Sequence, residues 1–174
     1  MLFDEIHYRN DKNLLNFDNG NIILRNAVRA VIINGNKILM AHLEKTDEYK
    51  FPGGGRNENE TIEDAIKREV LEEVGYNVIS IKEKIGTITE YAIAQEGGNN
   101  IFKMISDYYL ADIENKQLKQ NLEEYEKELL FKPCWIEIKN AYKINNDKII
   151  KKYKMTSGIN RETIALRYLC EKYR

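Results

Sequence analysis

The apolar residues of this chain fall into short segments whose spacing alternates between that of strands and that of helices. Segments bounded by glycine and asparagine show strand spacing, whereas longer segments repeat apolar residues every three or four positions. Strands that interleave with helices along one chain predict a layered α/β domain. The predicted strands are residues 27–33, 37–43, 102–111 and 134–138, with further β-rich segments over 78–91, and the predicted helices are residues 62–74, 141–153 and 159–173.

Several connections between these elements are also visible in the pattern. The Asn-Gly-Asn sequence at residues 34–36 predicts a hairpin turn, Gly86 predicts a bulge or bend, and residues 97–100 predict a second turn. Residues 112–130 are polar and acidic, which indicates a loop or short helix, and residues 1–20 are expected to form an N-terminal arm or hairpin. With 174 residues and no segment resembling a linker, a single domain is expected.

Composition narrows the class of protein without naming a function. Apolar residues make up 43% of the chain, and the net charge is −1 from 27 basic and 28 acidic side chains. This balance gives no electrostatic footprint for nucleic acid or a membrane, so neither is expected as a partner. Small anionic ligands remain compatible, because a bound metal can supply positive charge. The sequence does not distinguish a monomer from a homodimer.

The cysteines and the N-terminus indicate a compartment. Cys134 and Cys170 lie in apolar contexts without metal-ligand or redox spacing, which is typical of buried thiols in a reducing environment. The first residues lack the pattern of a signal peptide, and no apolar run approaches transmembrane length. We therefore expect a cytoplasmic protein.

The predicted helix over residues 62–74 carries the most informative feature of the chain. With Ile62 set at zero on a helical wheel, Ile66 falls at about 40°, Glu69 at about 340° and Glu73 at about 20°. The two carboxylates thus lie on the line of the apolar stripe, with Glu72 beside them. Unpaired carboxylates on a half-buried face repel each other and are costly to desolvate. A hard divalent cation, Mg²⁺ or Mn²⁺, is the simplest compensation, since both prefer oxygen ligands.

Residues flanking this helix support a compact site. Thr61 and Asp64 form a variant of the capping box that predicts a helix start near residue 62, and Gly75 suits a left-handed C-terminal cap. The Pro-Gly-Gly-Gly segment at residues 52–55 cannot continue a regular strand or helix, and its glycines allow backbone groups to approach a ligand closely. A glycine-rich turn followed by clustered glutamates predicts a site for metal and phosphate.

Residues 54–76 resemble the signature of the Nudix hydrolase family, G-x5-E-x7-R-E-U-x-E-E-x-G-U, where U is a bulky apolar residue. Tyr76 is a mild departure, because the family usually has an aliphatic residue there. A strand pair before this box, and a Trp-containing strand followed by a helix after it, also resemble the family. The matching positions are Gly54, Glu60, Arg68, Glu69, Val70, Glu72, Glu73 and Gly75.

The resemblance implies a fold, an activity and roles for the box residues. The implied fold is an α/β/α sandwich with a mixed β-sheet. The implied activity is metal-dependent hydrolysis of a nucleoside diphosphate linked to another group, which acts on a phosphoric anhydride bond. Glu69 and Glu73 are the expected metal ligands with Glu72 as a third, and the carbonyl of Gly54 is an expected backbone ligand. Glu69 is also the candidate that orients or deprotonates water.

Arg68 is adjacent to these carboxylates, and we expect it to belong to the catalytic residues together with Glu69 and Glu73. Its expected role is a salt bridge that orients Glu60 or Glu72, and direct phosphate contact is the alternative. Glu60 is expected to support the loop before the helix. Gly54 and Gly55 are expected to contact the substrate.

Residues outside the box carry weaker signals. Arg29 interrupts an apolar strand and needs a partner, which is either an internal salt bridge or a substrate phosphate. Arg25 and His42 lie on or next to the strands that commonly border the cleft in this family. An additional carboxylate often comes from a loop ahead of the late strand, although each such residue is individually typical of a solvated loop. The loop carboxylates are Glu123, Glu124, Glu126 and Glu128, and the aromatic side chains that could stack on a base are Tyr49, Tyr91, Tyr108, Tyr109 and Trp135.

The box does not name the substrate, because specificity lies in loops outside it. Nucleoside triphosphates, nucleotide sugars and ADP-ribose-like compounds all remain open as the nucleotide-derived small molecule. A non-catalytic Nudix-like domain that senses nucleotides is the alternative, although the intact glutamates argue against it. A diphosphate isomerase of related fold would require cysteine chemistry for which neither cysteine has a suitable setting.

Overall fold

The computed structural model describes Phe3 and residues 5–9, 21–94 and 100–173, and of residues 5–9 it describes the backbone alone. Strands and helices interleave along the chain, as the apolar pattern predicts. The strands are β1 (Glu5–Arg9), β2 (Ile22–Val31), β3 (Ile33–Asn34), β4 (Lys37–Leu43), β5 (Glu48–Lys50), β6 (Val78–Ile93), β7 (Ile101–Ile113) and β8 (Phe131–Glu137). The helices are α1 (Ile62–Val74), α2 (Glu124–Leu129), α3 (Ile138–Lys151) and α4 (Ile159–Lys172).

The strands form two four-stranded sheets. The first sheet has the order β1-β6-β7-β2 and is mixed, because β1 and β2 run parallel to their neighbours whereas β6 and β7 are antiparallel. The second sheet is antiparallel and has β4 at its centre. Strands β3 and β5 pair with one edge of β4, and β8 pairs with the other edge. The expected mixed sheet is thus present, and a second sheet accompanies it.

Helices cover the strands on both sides, which gives the layered α/β/α arrangement. Helix α1 contacts β2, β4, β6 and β8, whereas α3 contacts β5 and β8 and α4 contacts β5 and β6. Strand β4 shows the consequence: Ile38 and Met40 belong to the apolar cluster that includes α3 and α4, and Leu39 and Ala41 belong to the cluster that includes α1. A strand buried on both faces reads as a continuous apolar run, as β4 does.

Most predicted elements are present, with shifted ends. The ladder changes register next to Gly86, which confirms the predicted irregularity, and Gly35 adopts a φ of 61° in the predicted turn. Strand β2 begins five residues before the predicted residue 27, because its parallel pairing with β7 joins the apolar residues 22–24 to the buried segment across the exposed Arg25 and Asn26. Helix α3 starts at Ile138 and ends before Lys152, whose φ of 53° stops the helix.

Some predictions fall on residues outside the described part of the chain. The second turn at residues 97–100 lies there almost entirely. Of the N-terminal arm or hairpin expected over residues 1–20, the structure shows Phe3, which packs in the core, and β1, which pairs in parallel with β6. Of the helices that the structure describes, none combines the length and apolar character needed to cross a bilayer.

Candidate active site

Helix α1 delivers two carboxylates into the protein interior. The Thr61 side chain accepts a 3.0 Å hydrogen bond from the Asp64 amide at the start of the helix, and Gly75 ends it with a φ of 74°. Glu69 is 8% exposed and Glu73 is fully buried. The wheel argument is therefore confirmed in its geometry, since both carboxylates continue the buried face of the helix.

The glycine loop, residues 52–55, faces these carboxylates and runs along the free edge of β2. The Ala30 amide donates to the Pro52 carbonyl at 2.8 Å, and the Val28 amide donates to the Gly54 carbonyl at 3.0 Å. Gly53 has a φ of 145°, and a Cβ there would collide with the Val28 carbonyl oxygen, so this position requires glycine. The loop can approach the strand this closely only because it lacks side chains.

Glu73 ties the glycine loop to both α1 and β5. Its Oε1 accepts from Lys50 Nζ at 2.6 Å, and its Oε2 accepts from the Gly53 amide at 2.8 Å. Burial raises the pKa of Glu73 to about 7, because desolvation and the charges of Glu69 and Glu126 outweigh the stabilising charge of Lys50. Glu73 is thus a buried carboxylate whose ionised form is poorly compensated within the protein.

Arg68 holds the outer carboxylates of the box. Its guanidinium donates to Glu60 at 2.7 and 2.9 Å, to Glu69 at 2.7 Å and to Glu72 at 3.2 Å. The salt bridge expected of Arg68 is therefore present, and its hydrogen bonds lower the pKa of Glu60 to about 2. The pKa of Glu69 is nevertheless raised, because burial outweighs the charge of Arg68.

The box carboxylates are paired internally in this arrangement. Within the described residues, no three His, Cys, Asp or Glu side chains form a group that could hold a metal ion. Arg68 contacts Glu69 and Glu72, whereas Lys50 contacts Glu73. Three convergent ligands, as predicted from the helical wheel, would require these carboxylates to exchange partners.

Gly54 and Gly55 contact protein groups in this structure, and their predicted contacts with metal and substrate stay predictions. The carbonyl oxygen of Gly54, the expected backbone ligand, accepts a hydrogen bond from β2. It is the Cα of Gly54 that faces the helix, since a Cβ there would lie 2.5 Å from Oε1 of Glu69. The Gly55 carbonyl accepts from Arg68 at 3.2 Å, and a Cβ at Gly55 would collide with the Arg25 guanidinium.

Among the loop carboxylates, the structure singles out Glu126. It is 3% exposed and accepts hydrogen bonds from the Glu123 amide at 2.9 Å and from the Tyr125 hydroxyl at 2.8 Å. Its charge helps to raise the pKa of Glu73, so the two carboxylates interact. Glu123, Glu124 and Glu128 are exposed, as the solvated-loop interpretation expects.

Arg29 has a partner that the sequence did not suggest. It is 3% exposed, and its Nη1 donates to the Gly53 carbonyl. The predicted internal salt bridge is therefore replaced by a bond to the glycine loop, while substrate contact remains a prediction. His42 is turned toward Asp47, 2.9 Å away, and stacks on Tyr49 with ring centroids 4.6 Å apart.

The aromatic residues that could stack on a base differ in how far they are buried. Tyr49 is 8% exposed, and Tyr108 is fully buried with its ring edge-on to Phe51, so both pack in the core. Tyr109 and Trp135 are partly exposed and pack against the apolar cluster beneath α1. The structure does not bring a single aromatic residue forward as the one that stacks on a base.

Two functional features escaped the sequence reasoning. The first is Lys50, the partner of Glu73, which lies between Tyr49 and Phe51 just before the glycine loop. Glu162 and Arg161 form a buried ion pair at 2.8 Å on α4. The signal for Glu162 was available, because it lies on the apolar stripe of α4 just as Glu69 lies on that of α1.

Comparisons with known proteins agree with this geometry. The family profile for the NUDIX domain matches residues 23–155. The 8-oxo-dGTP diphosphatase of Buchnera aphidicola subsp. Schizaphis graminum is 38% identical over 61 residues, which are 33% of this chain and 47% of that protein, so the match spans about half of the relative. A NUDIX hydrolase from Nitrosomonas europaea shares the fold with a TM-score of 0.50 and 17% identity, over 74% of this chain and 79% of that one. Because the family profile covers well over half of the sequence, this chain belongs to the Nudix family.

Proposed function

We propose that this chain is a divalent-cation-dependent pyrophosphohydrolase that cleaves the diphosphate link of a nucleoside diphosphate derivative. The observation that carries the proposal is the pair of buried carboxylates, Glu69 and Glu73, aimed at a loop whose glycines present backbone and no side chains of their own. Buried carboxylates are costly and are retained where they are paired or bind metal. The family membership supports the same class of activity.

The balance of charge at the site fits a divalent cation. Five carboxylates are buried or half-buried here, against the three cationic side chains of Arg29, Lys50 and Arg68. Carboxylates thus outnumber these cationic side chains, and their oxygens are the ligands that Mg²⁺ and Mn²⁺ prefer. The five carboxylates are Glu60, Glu69, Glu72, Glu73 and Glu126.

In this proposal Glu69, Glu72 and Glu73 hold the cation, with the Gly54 carbonyl as a further oxygen donor. The bound cation would neutralise charge on the diphosphate oxygens and activate water. Glu126 is the additional carboxylate, since it is the buried member of the loop before β8 and interacts with Glu73.

The protein groups supply orientation and proton transfer. Arg68 fixes the direction of the Glu69 carboxylate at 2.7 Å. Because burial raises the pKa of Glu69, its carboxylate is a stronger base than an exposed glutamate, which suits it to accept a proton from water. Glu73 accepts from the Gly53 amide and Arg29 donates to the Gly53 carbonyl, so the peptide groups before and after Gly53 are both held in the loop that would receive the phosphates.

Among the substrate classes, a nucleoside triphosphate is the first choice, because the curated relative is named for 8-oxo-dGTP. Nucleotide sugars and ADP-ribose-like compounds share the anhydride that the site would cleave. The cytoplasm is the proposed setting, in keeping with the free thiols of Cys134 and Cys170. The alternative, a nucleotide-sensing domain without turnover, predicts binding without product.

The test is a product-release screen over nucleoside triphosphates, nucleotide sugars and ADP-ribose, each with Mg²⁺, with Mn²⁺ and with a chelator. Cleavage of at least one anhydride that stops on chelation supports the proposal. Glu69→Gln should lose this activity, whereas Glu63→Gln, on the exposed face of the same helix, should retain it. Saturable nucleotide binding without cleavage would support the sensing domain instead.

A further inference from the structure

Strand β5 leads directly into the glycine loop, and the helices on the far side of the sheet complete its hydrogen bonding. On one edge β5 pairs with β4. On the other edge the Asn145 side chain of α3 accepts from the Tyr49 amide at 2.9 Å and donates to the Tyr49 carbonyl at 2.8 Å. Asn145 is fully buried. A side chain thus takes the place of a neighbouring strand, which leaves no unpaired backbone group at Tyr49.

Glu162 of α4 continues this edge by one more step. Its Oε2 accepts from the Phe51 amide at 3.0 Å, and its Oε1 accepts from Arg161 at 2.8 Å. Arg161 also donates to Glu90 at 2.8 Å. Burial opposes the charge of Glu162, which is 2% exposed, but Arg161, Arg29 and the Phe51 amide together hold its pKa below the ordinary value. Glu162 therefore acts as an ionised acceptor at the last amide before the glycine loop.

The loop has two carboxylate anchors on amides two residues apart. Glu73 holds the Gly53 amide from α1, and Glu162 holds the Phe51 amide from α4, on the opposite side of the sheet. Glu73 is also a proposed cation ligand, and both of its oxygens are occupied by Lys50 and Gly53. Each oxygen keeps a second lone pair for a cation, but a bound cation would compete with the Lys50 ammonium for the same carboxylate. Glu162 lies outside the proposed cation set, so cation binding does not use its oxygens.

We propose that Glu162 is a positioning residue that keeps the glycine loop in register while Glu73 binds the cation. This inference rests on the proposed function. Arg161 and Glu90 stabilise the charge of Glu162, so that α4 and β6 contribute to the geometry of a site on the other face of the sheet. A role confined to packing would alter stability but not the loop or its cation affinity.

Glu48, on strand β5 itself, offers a matched control for Glu162. It is 2% exposed, and its carboxylate accepts from the Thr156 amide at 2.8 Å and hydroxyl at 2.6 Å, so it is a buried acceptor of similar kind that does not touch the loop. Glu162→Asp and Glu48→Asp each keep the charge and shorten the side chain by one methylene. The comparison separates the loss of a buried contact in general from the loss of the contact at Phe51.

The experiment measures amide exchange at Gly53 by NMR, Mn²⁺ affinity by electron paramagnetic resonance, and kcat and KM on a cleaved anhydride. Glu162→Asp should speed exchange at Gly53 about tenfold, the effect of weakening one hydrogen bond. It should weaken Mn²⁺ binding severalfold and lower kcat by up to about a hundredfold with little change in KM, because a small misplacement of reacting groups is costly. Glu48→Asp should leave all three near wild type.

Unchanged Gly53 exchange and Mn²⁺ affinity in Glu162→Asp, or equal changes in Glu48→Asp, would overturn the positioning role. If Glu162→Asp does not fold, Glu162→Gln tests the same role: its neutral amide oxygen is a weaker acceptor for the Phe51 amide, so smaller changes in the same direction are expected, and no change would overturn the positioning role. Wild-type protein that cleaves no anhydride would refute the proposed function alone. Amide exchange and Mn²⁺ affinity would still decide the role of Glu162.

Discussion

Replacing Glu73 with glutamine tests whether this buried carboxylate is the poorly compensated charge at the site. Folding raises the pKa of Glu73 from 4.5 to about 7, so the folded protein binds this proton more tightly than the unfolded chain does. The resulting stabilisation is fully present below pH 4.5 and is lost as the pH rises through about 7. Glutamine keeps an oxygen that can accept from the Gly53 amide but does not titrate.

The magnitude follows from the size of the shift. A rise from 4.5 to about 7 corresponds to about 3 kcal/mol of stability lost by the wild type between acidic and mildly alkaline pH. As the pH rises over that range, the free energy of unfolding of Glu73→Gln should therefore increase relative to that of wild type by about 3 kcal/mol, which makes the variant relatively more stable. A saturating divalent cation should return about the same amount to the wild type at alkaline pH, because a ligand at about a hundred times its Kd contributes about 2.7 kcal/mol.

The assay is urea unfolding of both proteins from about pH 4.5 to about pH 8, with a chelator and then with Mg²⁺ or Mn²⁺. Glu63→Gln, at an exposed position of α1, is the control and should show no such pH dependence. The reasoning is refuted if the difference between Glu73→Gln and wild type stays constant with pH and is insensitive to the cation. That result would mean that Glu73 is a structural carboxylate held by Lys50.

Three further predictions concern catalysis and the glycine loop. Glu69→Gln should lower turnover at least about a hundredfold in steady-state kinetics without unfolding the protein, and wild-type turnover would remove Glu69 from the chemistry. Gly53→Ala should destabilise the fold by more than about 2 kcal/mol in urea, because of its φ of 145° and the collision with Val28. Gly35→Ala, with open space around its Cβ, should cost less, and equal costs would contradict the argument. The phosphomonoester p-nitrophenyl phosphate should stay nearly uncleaved, and its efficient hydrolysis would indicate a phosphatase.

The parts of this structure that the sequence predicts well are those set by local interactions. Helix α1 begins after Thr61 and ends before Gly75, as its capping residues indicate. The burial of Glu69 and Glu73 follows from their place on the helical wheel. Each of these features depends on residues within a turn or two of one another, so the spacing of side chains along the chain contains the necessary information.

The partners of the buried charges could not be predicted in the same way. Lys50 meets Glu73 across 23 residues, and Phe51 meets Glu162 across 111 residues. These contacts depend on how β5 passes between α1 and α4, which no local pattern specifies. The wheel predicted that the carboxylates need compensation, and the structure shows that protein cations supply part of it. The start of β2 was missed because the exposed Arg25 and Asn26 separate the apolar residues 22–24 from the buried part of the strand, and only the long-range pairing with β7 joins them.

The central claim is that the site hydrolyses a phosphoric anhydride with a divalent cation. The most direct measurement is hydrolysis of a nucleoside triphosphate in ¹⁸O-labelled water, followed by mass spectrometry of the products with and without a chelator. The account predicts nucleoside monophosphate and pyrophosphate, with one labelled oxygen in one of the two products, and no products after chelation or in Glu69→Gln. Nucleotide sugars and ADP-ribose should be tested in the same way if the triphosphate is not cleaved. Full activity in the presence of chelator, or monoester cleavage with every anhydride left intact, would contradict the account.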